Sequence, residues 1–288
     1  MEKKPVPVLL KHAREAFGSA ERIASEWRAL NFVAPPDLGR AIEEYNRFAD
    51  LVGRLGAQVR YLPSTEDAAD IGLDSIYVRD ASVYSPRGVV LCRMGKAPRA
   101  GEPRAQEAWY RAHDIPVLGA IEAPGTLEGG DVTWLADRIL AVGRGYRTND
   151  EGIRQLRQFL GNTIDELVVV PLPHWRGAGD VFHLMSVISP VARDLAVVYS
   201  PLLPVPFRER LMELGLRLVE VPDEEFETMG ANVLAVAPGR CLMLNGNPGT
   251  RRRLEAAGAE VQEYEGRDIS LKGGGGPTCL TRPLGCLQ

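Results

Sequence analysis

The run Gly273-Gly274-Gly275-Gly276-Pro277-Thr278-Cys279 places a thiol directly behind four consecutive glycines. Four glycines would be costly inside a helix or strand, so such a run serves where backbone must approach a ligand or take dihedrals closed to other residues. The competing reading is a loose C-terminal tail, but Thr278-Cys-Leu-Thr-Arg-Pro-Leu284 is strand-like and would pack. A nucleophilic cysteine needs a base or a local positive field to become a thiolate. Of the four histidines, His12 lies in a polar N-terminal segment, His113 ends a predicted helix and His174 sits in a Pro-Leu-Pro-His-Trp loop. His183 differs, because Gly179-Asp-Val-Phe-His-Leu-Met-Ser186 sets it at the start of a predicted apolar strand. A polar ring there has either a chemical role or a satisfied place in the core.

Two acidic motifs accompany it. Leu127-Glu-Gly-Gly-Asp131 puts Glu128 between an apolar residue and two glycines at a predicted strand start, and Asp74-Ser-Ile-Tyr-Val-Arg-Asp80 brackets a predicted apolar strand with acids. Read singly, each is also compatible with a turn or a surface strand. It is their combination with Cys279 and His183 that points to a site.

The elements that must position these groups repeat along the chain. Residues 37 to 54 place Leu38, Ile42, Tyr45, Phe48, Val52 and Leu55 at helical spacing behind the N-cap Asp37, stop at Gly56, and continue into the alternating Gln58–Pro63. The unit recurs as a helix at 103–113 before Ile115–Ile121, a helix at 150–160 before Glu166–Pro171, a helix at 206–214 before Leu216–Val221, and a helix at 250–257 before Ala259–Tyr264. Apolar hairpins precede most of these helices, at Ala81–Met94, Val132–Val142 and Asn232–Leu244, with 183–199 as a further candidate. Modules about 50 residues long cannot each bury an apolar face alone, so five such units must share a core as one closed α/β domain over residues 1–288.

Composition narrows the class. At 45% hydrophobic and 25% charged, the chain reads as an ordinary globular protein, and no apolar run approaches the roughly 20 residues that span a bilayer. The opening Pro-Val-Pro-Val-Leu-Leu10 is cut short by Lys-His-Ala-Arg-Glu15, so no export signal is expected. Cys92, Cys241, Cys279 and Cys286 lack metal-ligand spacing, which fits a reducing cytoplasm. A net charge of −4 supplies no field for nucleic acid, and Arg251-Arg252-Arg253 reads as the solvated face of a helix.

Taken together, Asp80, Glu128-Gly-Gly-Asp131, Arg147-Thr-Asn149, His183-Leu-Met-Ser186 and Gly-Gly-Gly-Pro-Thr-Cys279 resemble the guanidine-modifying superfamily. That superfamily includes arginine deiminases, amidinotransferases and dimethylarginine dimethylaminohydrolases. The resemblance implies the pentein fold, a five-bladed α/β propeller of ββαβ modules with the active site in its central channel, which agrees with the repeat. It implies that Cys279 attacks a guanidino carbon, that His183 protonates the departing nitrogen and then activates water, that Glu128 orients His183, and that Asp80 accepts from the guanidinium in plane. For an amino-acid substrate it further implies Arg147 and Arg99 on the carboxylate, with Arg93 and Arg104 as neighbouring candidates. Asp74 would take the amine, and Gly273 would offer a backbone carbonyl. The implied partner is a small guanidino molecule, and neither a metal nor another cofactor is called for. The oligomeric state stays open, with a homodimer among the options.

Arginine deiminases and amidinotransferases carry aspartate two residues after the catalytic histidine, where this chain has Met185. An apolar side chain cannot accept from a terminal NH2 but tolerates N-methyl groups, which tilts the resemblance toward hydrolysis of dimethylarginine to citrulline and dimethylamine. Arginine deiminase or dihydrolase-type action on free arginine is the alternative. Arg79 departs from some dimethylarginine hydrolases, which have glutamate there, and Cys279-Leu-Thr-Arg-Pro283 departs from the Cys-Ile-Thr-Gln-Gln usual in agmatine deiminases. Pentein-fold proteins that bind ribosomal subunits lack the catalytic set, whereas this chain keeps the cysteine, the histidine and both acids.

Overall fold

A computed structural model describes residues 5–64, 71–180 and 182–285 of the chain; Cys286 lies outside these. Strand β1 (Pro7–Leu10) leads through α1 (Ala13–Phe17), α2 (Ala20–Glu26) and α3 (Leu38–Arg54) to β2 (Gln58–Tyr61). Four further units follow: β3 (Ser82–Ser85), β4 (Gly88–Leu91), α4 (Glu102–Ala112), β5 (Val117–Ala120); then β6 (Val132–Ala136), β7 (Ile139–Arg144), α5 (Asp150–Leu160), β8 (Glu166–Pro171). The next comprises β9 (Ile188–Ala192), β10 (Leu195–Val198), α6 (Val205–Glu213) and β11 (Arg217–Glu220). After α7 (Asp223–Phe226) come β12 (Val233–Ala237), β13 (Arg240–Leu244), α8 (Pro248–Ala256), β14 (Glu260–Tyr264) and finally β15 (Arg282–Pro283).

Among the described residues the strands form five three-stranded sheets. In four of them an antiparallel hairpin is joined through a helix to a parallel third strand, as in β6–β7 (Val132 opposite Val142) and β7–β8 (Leu140 beside Leu167); in the fifth, β15 takes the place of the hairpin's first strand. The helices follow from the same local rules that located them. In α5 the Asn149 side chain accepts from Gly152 N, and the apolar spacing buries Ile153, Leu156 and Leu160. Full burial of Leu156 and Leu160 contributes about 1.5–3 kcal/mol each.

Burial orients the sheets. The third strands are largely open, as in β2 and β5, whereas the first strands β3, β6, β9 and β12 are buried although they too are sheet edges. Their edges are covered by neighbouring sheets, with β9 packed beside both β6 and β12. The first strands therefore line the centre and the third strands the rim, giving the five-bladed arrangement expected.

Two expectations are corrected, and one strand is added that the sequence reading did not name. The short N-terminal apolar run is the middle strand of a blade, pairing antiparallel with β15 (Val8 opposite Pro283) and parallel with β2. One blade is thus built from both ends of the chain. Residues 74–80 are not a strand, because Leu73–Ile76 form a 3-10 turn whose Tyr77 N–H returns to Asp74 O. Nor does His183 open a strand; it precedes the turn Leu184–Ser186, closed by His183 N donating to Ser186 Oγ at 3.1 Å and Ser186 N donating to His183 O at 2.9 Å. Arg251–Arg253 do lie on a helix, α8, with Arg251 paired to Glu255 and Glu263. No helix among the described residues is long and apolar enough to cross a membrane.

Candidate active site

The sequence-distant residues meet because each sits at the same place in its blade, in the turn that enters the inner strand. Asp80 precedes β3, Glu128 precedes β6, His183 precedes β9, Asn232 precedes β12 and Cys279 precedes β15. The repeat therefore converts residues about 50 positions apart into one cluster at one end of the centre. Asp80, Glu128 and His183 bring ligand atoms within 4.8 Å of one another, and all three are buried.

His183 Nε2 lies 2.8 Å from Glu128 Oε2, and His183 Nδ1 lies 4.0 Å from Asp80 Oδ1. Burial alone would lower the His183 pKa; the charges of Asp80 and Asp131 and the bond to Glu128 outweigh it and hold the imidazole up at about 9. Burial likewise works against an ionised Glu128, and the bond to His183 with the charges of His183, Arg99 and Arg147 reverses it, holding the carboxyl well below its ordinary range. The pair is an imidazolium–carboxylate couple near neutral pH, the state a general acid requires.

Asp131 builds the turn that presents His183. Its Oδ1 accepts Leu184 N at 3.0 Å and its Oδ2 accepts the Thr148 hydroxyl at 2.6 Å. Between Glu128 and Asp131, Gly130 leaves room that no other residue could. A Cβ there would stand 2.5 Å from His183 Nδ1 and 2.7 Å from Asp80 Oδ1. The four later glycines supply the unusual dihedral expected of the run and pack closely on protein neighbours. Gly273 and Gly275 press against the Tyr77 ring, Gly276 against the Asn232 side chain, and Gly274 takes φ +77°. They seat the Cys279 turn on its neighbours.

Asp80 Oδ2 accepts from Arg99 Nη1 at 2.6 Å, while Asp80 Oδ1 is buried with no hydrogen-bond partner. A buried carboxylate oxygen left alone is costly, and a planar donor cation inserted beside His183 would satisfy it. Cys279 is half-buried in the wall of a cavity of about 130 Å³ that His183, Gly130, Met185 and Asn232 also line. Burial and then the Asp80 charge push its thiol pKa up, opposed by Thr278 and Arg79. The free thiol is therefore largely protonated, and a cation placed on Asp80 would favour the thiolate. Met185 is buried in the same wall, two residues past the imidazole.

The outer residues read from the sequence divide. Arg99 is buried, whereas Arg93 and Arg104 are exposed. Arg99 does not face the cavity: Nε and Nη2 donate to Glu102 at 2.8 Å each, Nη1 to Asp80, and Nη2 also to Tyr77 O at 3.0 Å. The geometry assigns it to positioning Asp80. Arg147 is buried against Glu128, with its Nη1 at 3.3 Å from Oε2 and 3.4 Å from Oε1. Asp74 is buried and already occupied, its Oδ2 accepting Lys96 Nζ at 2.6 Å. Gly273 packs on Tyr77 and Phe32.

Two groups escaped the sequence reading. Asn232 accepts from Thr278 N at 3.0 Å and Thr278 Oγ1 at 2.9 Å, and its Nδ2 stands 3.7 Å from Cys279 Sγ. Its signal was a polar amide opening an apolar strand. Lys96 carried none, lying in an exposed-looking Gly-Lys-Ala-Pro turn. As for ions, among the described residues Asp80, Glu128 and His183 are the group that could hold a metal, but His183 would first have to lose its proton.

A family model for arginine deiminase matches residues 74–206 and 204–285. N(G),N(G)-dimethylarginine dimethylaminohydrolase of Streptomyces coelicolor is 31% identical over 224 residues, 78% of each chain. Arginine deiminase of Rhodococcus erythropolis is 28% identical over 73% of this chain, which spans 59% of that enzyme's length. Among solved structures, dimethylarginine dimethylaminohydrolase of Pseudomonas aeruginosa in complex with citrulline superposes with TM-score 0.76 at 23% identity, covering 98% of this chain and all of that one. The N-terminal domain of a cyanobacterial arginine dihydrolase superposes with TM-score 0.81 at 19% identity over 98% of both. With the blades and the buried Asp80–His183–Glu128 cluster, these matches identify the chain as a pentein-fold member of the arginine deiminase family, a hydrolase of C–N bonds in guanidino groups.

Proposed function

We propose that Cys279, His183, Glu128 and Asp80 hydrolyse a guanidino carbon through a covalent thiouronium intermediate. The observation that carries this reading is the vacancy at Asp80 Oδ1, a buried acceptor facing His183 beside the cavity of Cys279. A guanidinium bound there supplies the positive field that lets Cys279 release its proton to solvent. The thiolate attacks the guanidino carbon and forms the C–S bond. As the C–N bond breaks, the imidazolium of His183 gives its proton to the leaving amine. His183, now neutral, takes a proton from water, the hydroxide forms the C–O bond, and the C–S bond breaks to return the thiolate. Guanidinium and water thus become a ureido product and an ammonium. Glu128 keeps His183 oriented and charged between turnovers, and Asn232 holds the nucleophile's turn.

Met185 sets the head group. Its thioether offers no acceptor to a terminal NH2 and suits an N-methylated nitrogen, so N,N-dimethylguanidino compounds, with dimethylarginine the first to assay, are the favoured class. The second reading is free arginine, which the arginine deiminase relatives named above motivate. Product mass spectrometry after parallel incubation with dimethylarginine, monomethylarginine, arginine and agmatine decides between them. Dimethylamine release that disappears in Cys279→Ser supports the proposal; preferential ammonia release from arginine overturns the head-group assignment.

A further inference from the structure

The centre of the ring holds a second cavity behind the reacting one. It encloses about 100 Å³ and takes wall residues from all five inner strands, among them Val83, Thr133, Pro190, Ala235 and Pro283. Met185 stands in its wall and in that of the Cys279 cavity, so the two lie back to back across one thioether. Tyr84, Trp134 and Gly285 are shared with a wider cavity of about 560 Å³ that also touches the exposed Asp137 and Arg193. An ion can therefore enter from the side opposite the guanidino site.

Two arginines line this inner cavity, Arg79 and Arg282, only 8% and 5% exposed. Among the described residues neither pairs with a carboxylate. Arg79 Nε donates to Thr278 O at 2.8 Å and Arg79 Nη2 to Thr281 Oγ1 at 3.3 Å. Arg282 Nη2 donates to Arg79 O, and Arg282 Nε is buried with no hydrogen-bond partner. Each guanidinium carries five N–H groups, so most of them find no acceptor within the described chain. Asp80, whose charge both arginines feel, is already bonded to Arg99. Burial pushes the pKa of both arginines down, and in Arg79 the charge of Arg282 adds to the fall. Two buried like charges with unused donors call for an anion, and the planar fork of each suits the oxygens of an oxoanion.

We propose that this channel cavity binds one small oxoanion, of the size and class of phosphate, on the guanidinium groups of Arg79 and Arg282. The site reaches the nucleophile through Arg79. Its backbone N–H donates to Cys279 O at 3.1 Å, its side chain holds Thr278 O, and its charge opposes the rise of the thiol pKa. An anion on Arg79 cancels that charge, so a loaded channel keeps the thiol protonated. Nothing here depends on the guanidino chemistry, since both measurements below run without substrate.

Calorimetric titration of inorganic phosphate into the wild-type chain, in a background of gluconate too bulky for the cavity, should show one ion bound per chain. Alkylation by iodoacetamide at pH 8, followed on the Cys279 peptide by mass spectrometry, should slow severalfold at saturation. Arg282→Met should weaken phosphate binding by roughly tenfold or more and abolish the slowing. Should that variant fold poorly, Ala235→Leu fills the cavity and leaves both arginines in place, with the same two losses expected. No phosphate bound by the wild type, or binding that survives both substitutions, overturns the site. Bound phosphate that leaves the alkylation rate unchanged overturns its link to Cys279.

Discussion

His183 and Glu128 meet Nε2 to Oε2 at 2.8 Å across turns of adjacent blades, and the charges around the imidazole hold its pKa at about 9 against an ordinary 6.5. Glu128→Gln removes one of those charges. Turnover should fall on the order of 10²–10⁴-fold, and the alkaline limb of the kcat profile should move to lower pH. A folded pKa raised above the unfolded one stabilises fully below about 6.5 and loses that contribution as pH rises through about 9. Melting temperatures of the wild type should therefore fall over that window more steeply than those of Glu128→Gln. Parallel slopes would contradict the coupling.

Asp80→Asn separates binding from thiol chemistry. Removing the charge that helps hold the Cys279 thiol up should shift iodoacetamide alkylation of Cys279 to lower pH. Turnover should nevertheless drop on the order of 100-fold or more, because the acceptor for the guanidinium is lost. In the wild type, alkylation near neutral pH should be slow and should quicken in the presence of guanidinium ion. A thiol that alkylates rapidly at pH 7 without any cation would contradict the protonated resting state.

Gly130→Ala tests the room left for the imidazole. With a Cβ 2.5 Å from His183 Nδ1, the ring must shift, and a misplacement on the order of 1 Å costs about 10²-fold in rate. Circular dichroism should show the fold retained. Normal kcat would mean that the ring has freedom the packing denies it.

Met185→Asp supplies an acceptor in the cavity wall. The ratio of kcat/KM for unmethylated over dimethylated substrate should rise by roughly tenfold, at a cost in melting temperature because the position is buried. An unchanged ratio would remove Met185 from head-group selection.

Arg99→Met leaves Glu102 and Asp80 buried without their partner. Glu102 is already raised to about 7 by burial, despite Arg99, and would lose the countering charge. Stripping one member from a buried ion network costs about 3–5 kcal/mol, so a large fall in denaturation midpoint is expected, and urea titration measures it.

Much of this was legible in the sequence. The five helix–stop–strand units were visible because each helix carries its own spacing and stop, as Asp37 with Gly56 or Asn149 with Gly161 show. The family motifs then placed Cys279, His183, Glu128 and Asp80. What sequence could not carry were pairings made at a distance. Pro7–Leu10 is too short to declare itself a strand without β15, and Asp74 reads as a free acid until Lys96 is seen on it. Turns that resemble strands, such as 74–80, mislead because their apolar residues are buried without belonging to a ladder.

The sheet that carries Cys279 draws its strands from residues 7–10, 58–61 and 282–283. During synthesis the strands of the other four blades, the last of them ending at Tyr264, are all made before β15 at Arg282–Pro283. The acid, the histidine and the guanidinium acceptor can therefore assemble around a ring still missing its thiol. Activity should arrive at once, as β15 finds β1, so that a chain stopped before Cys279 would not act on a substrate.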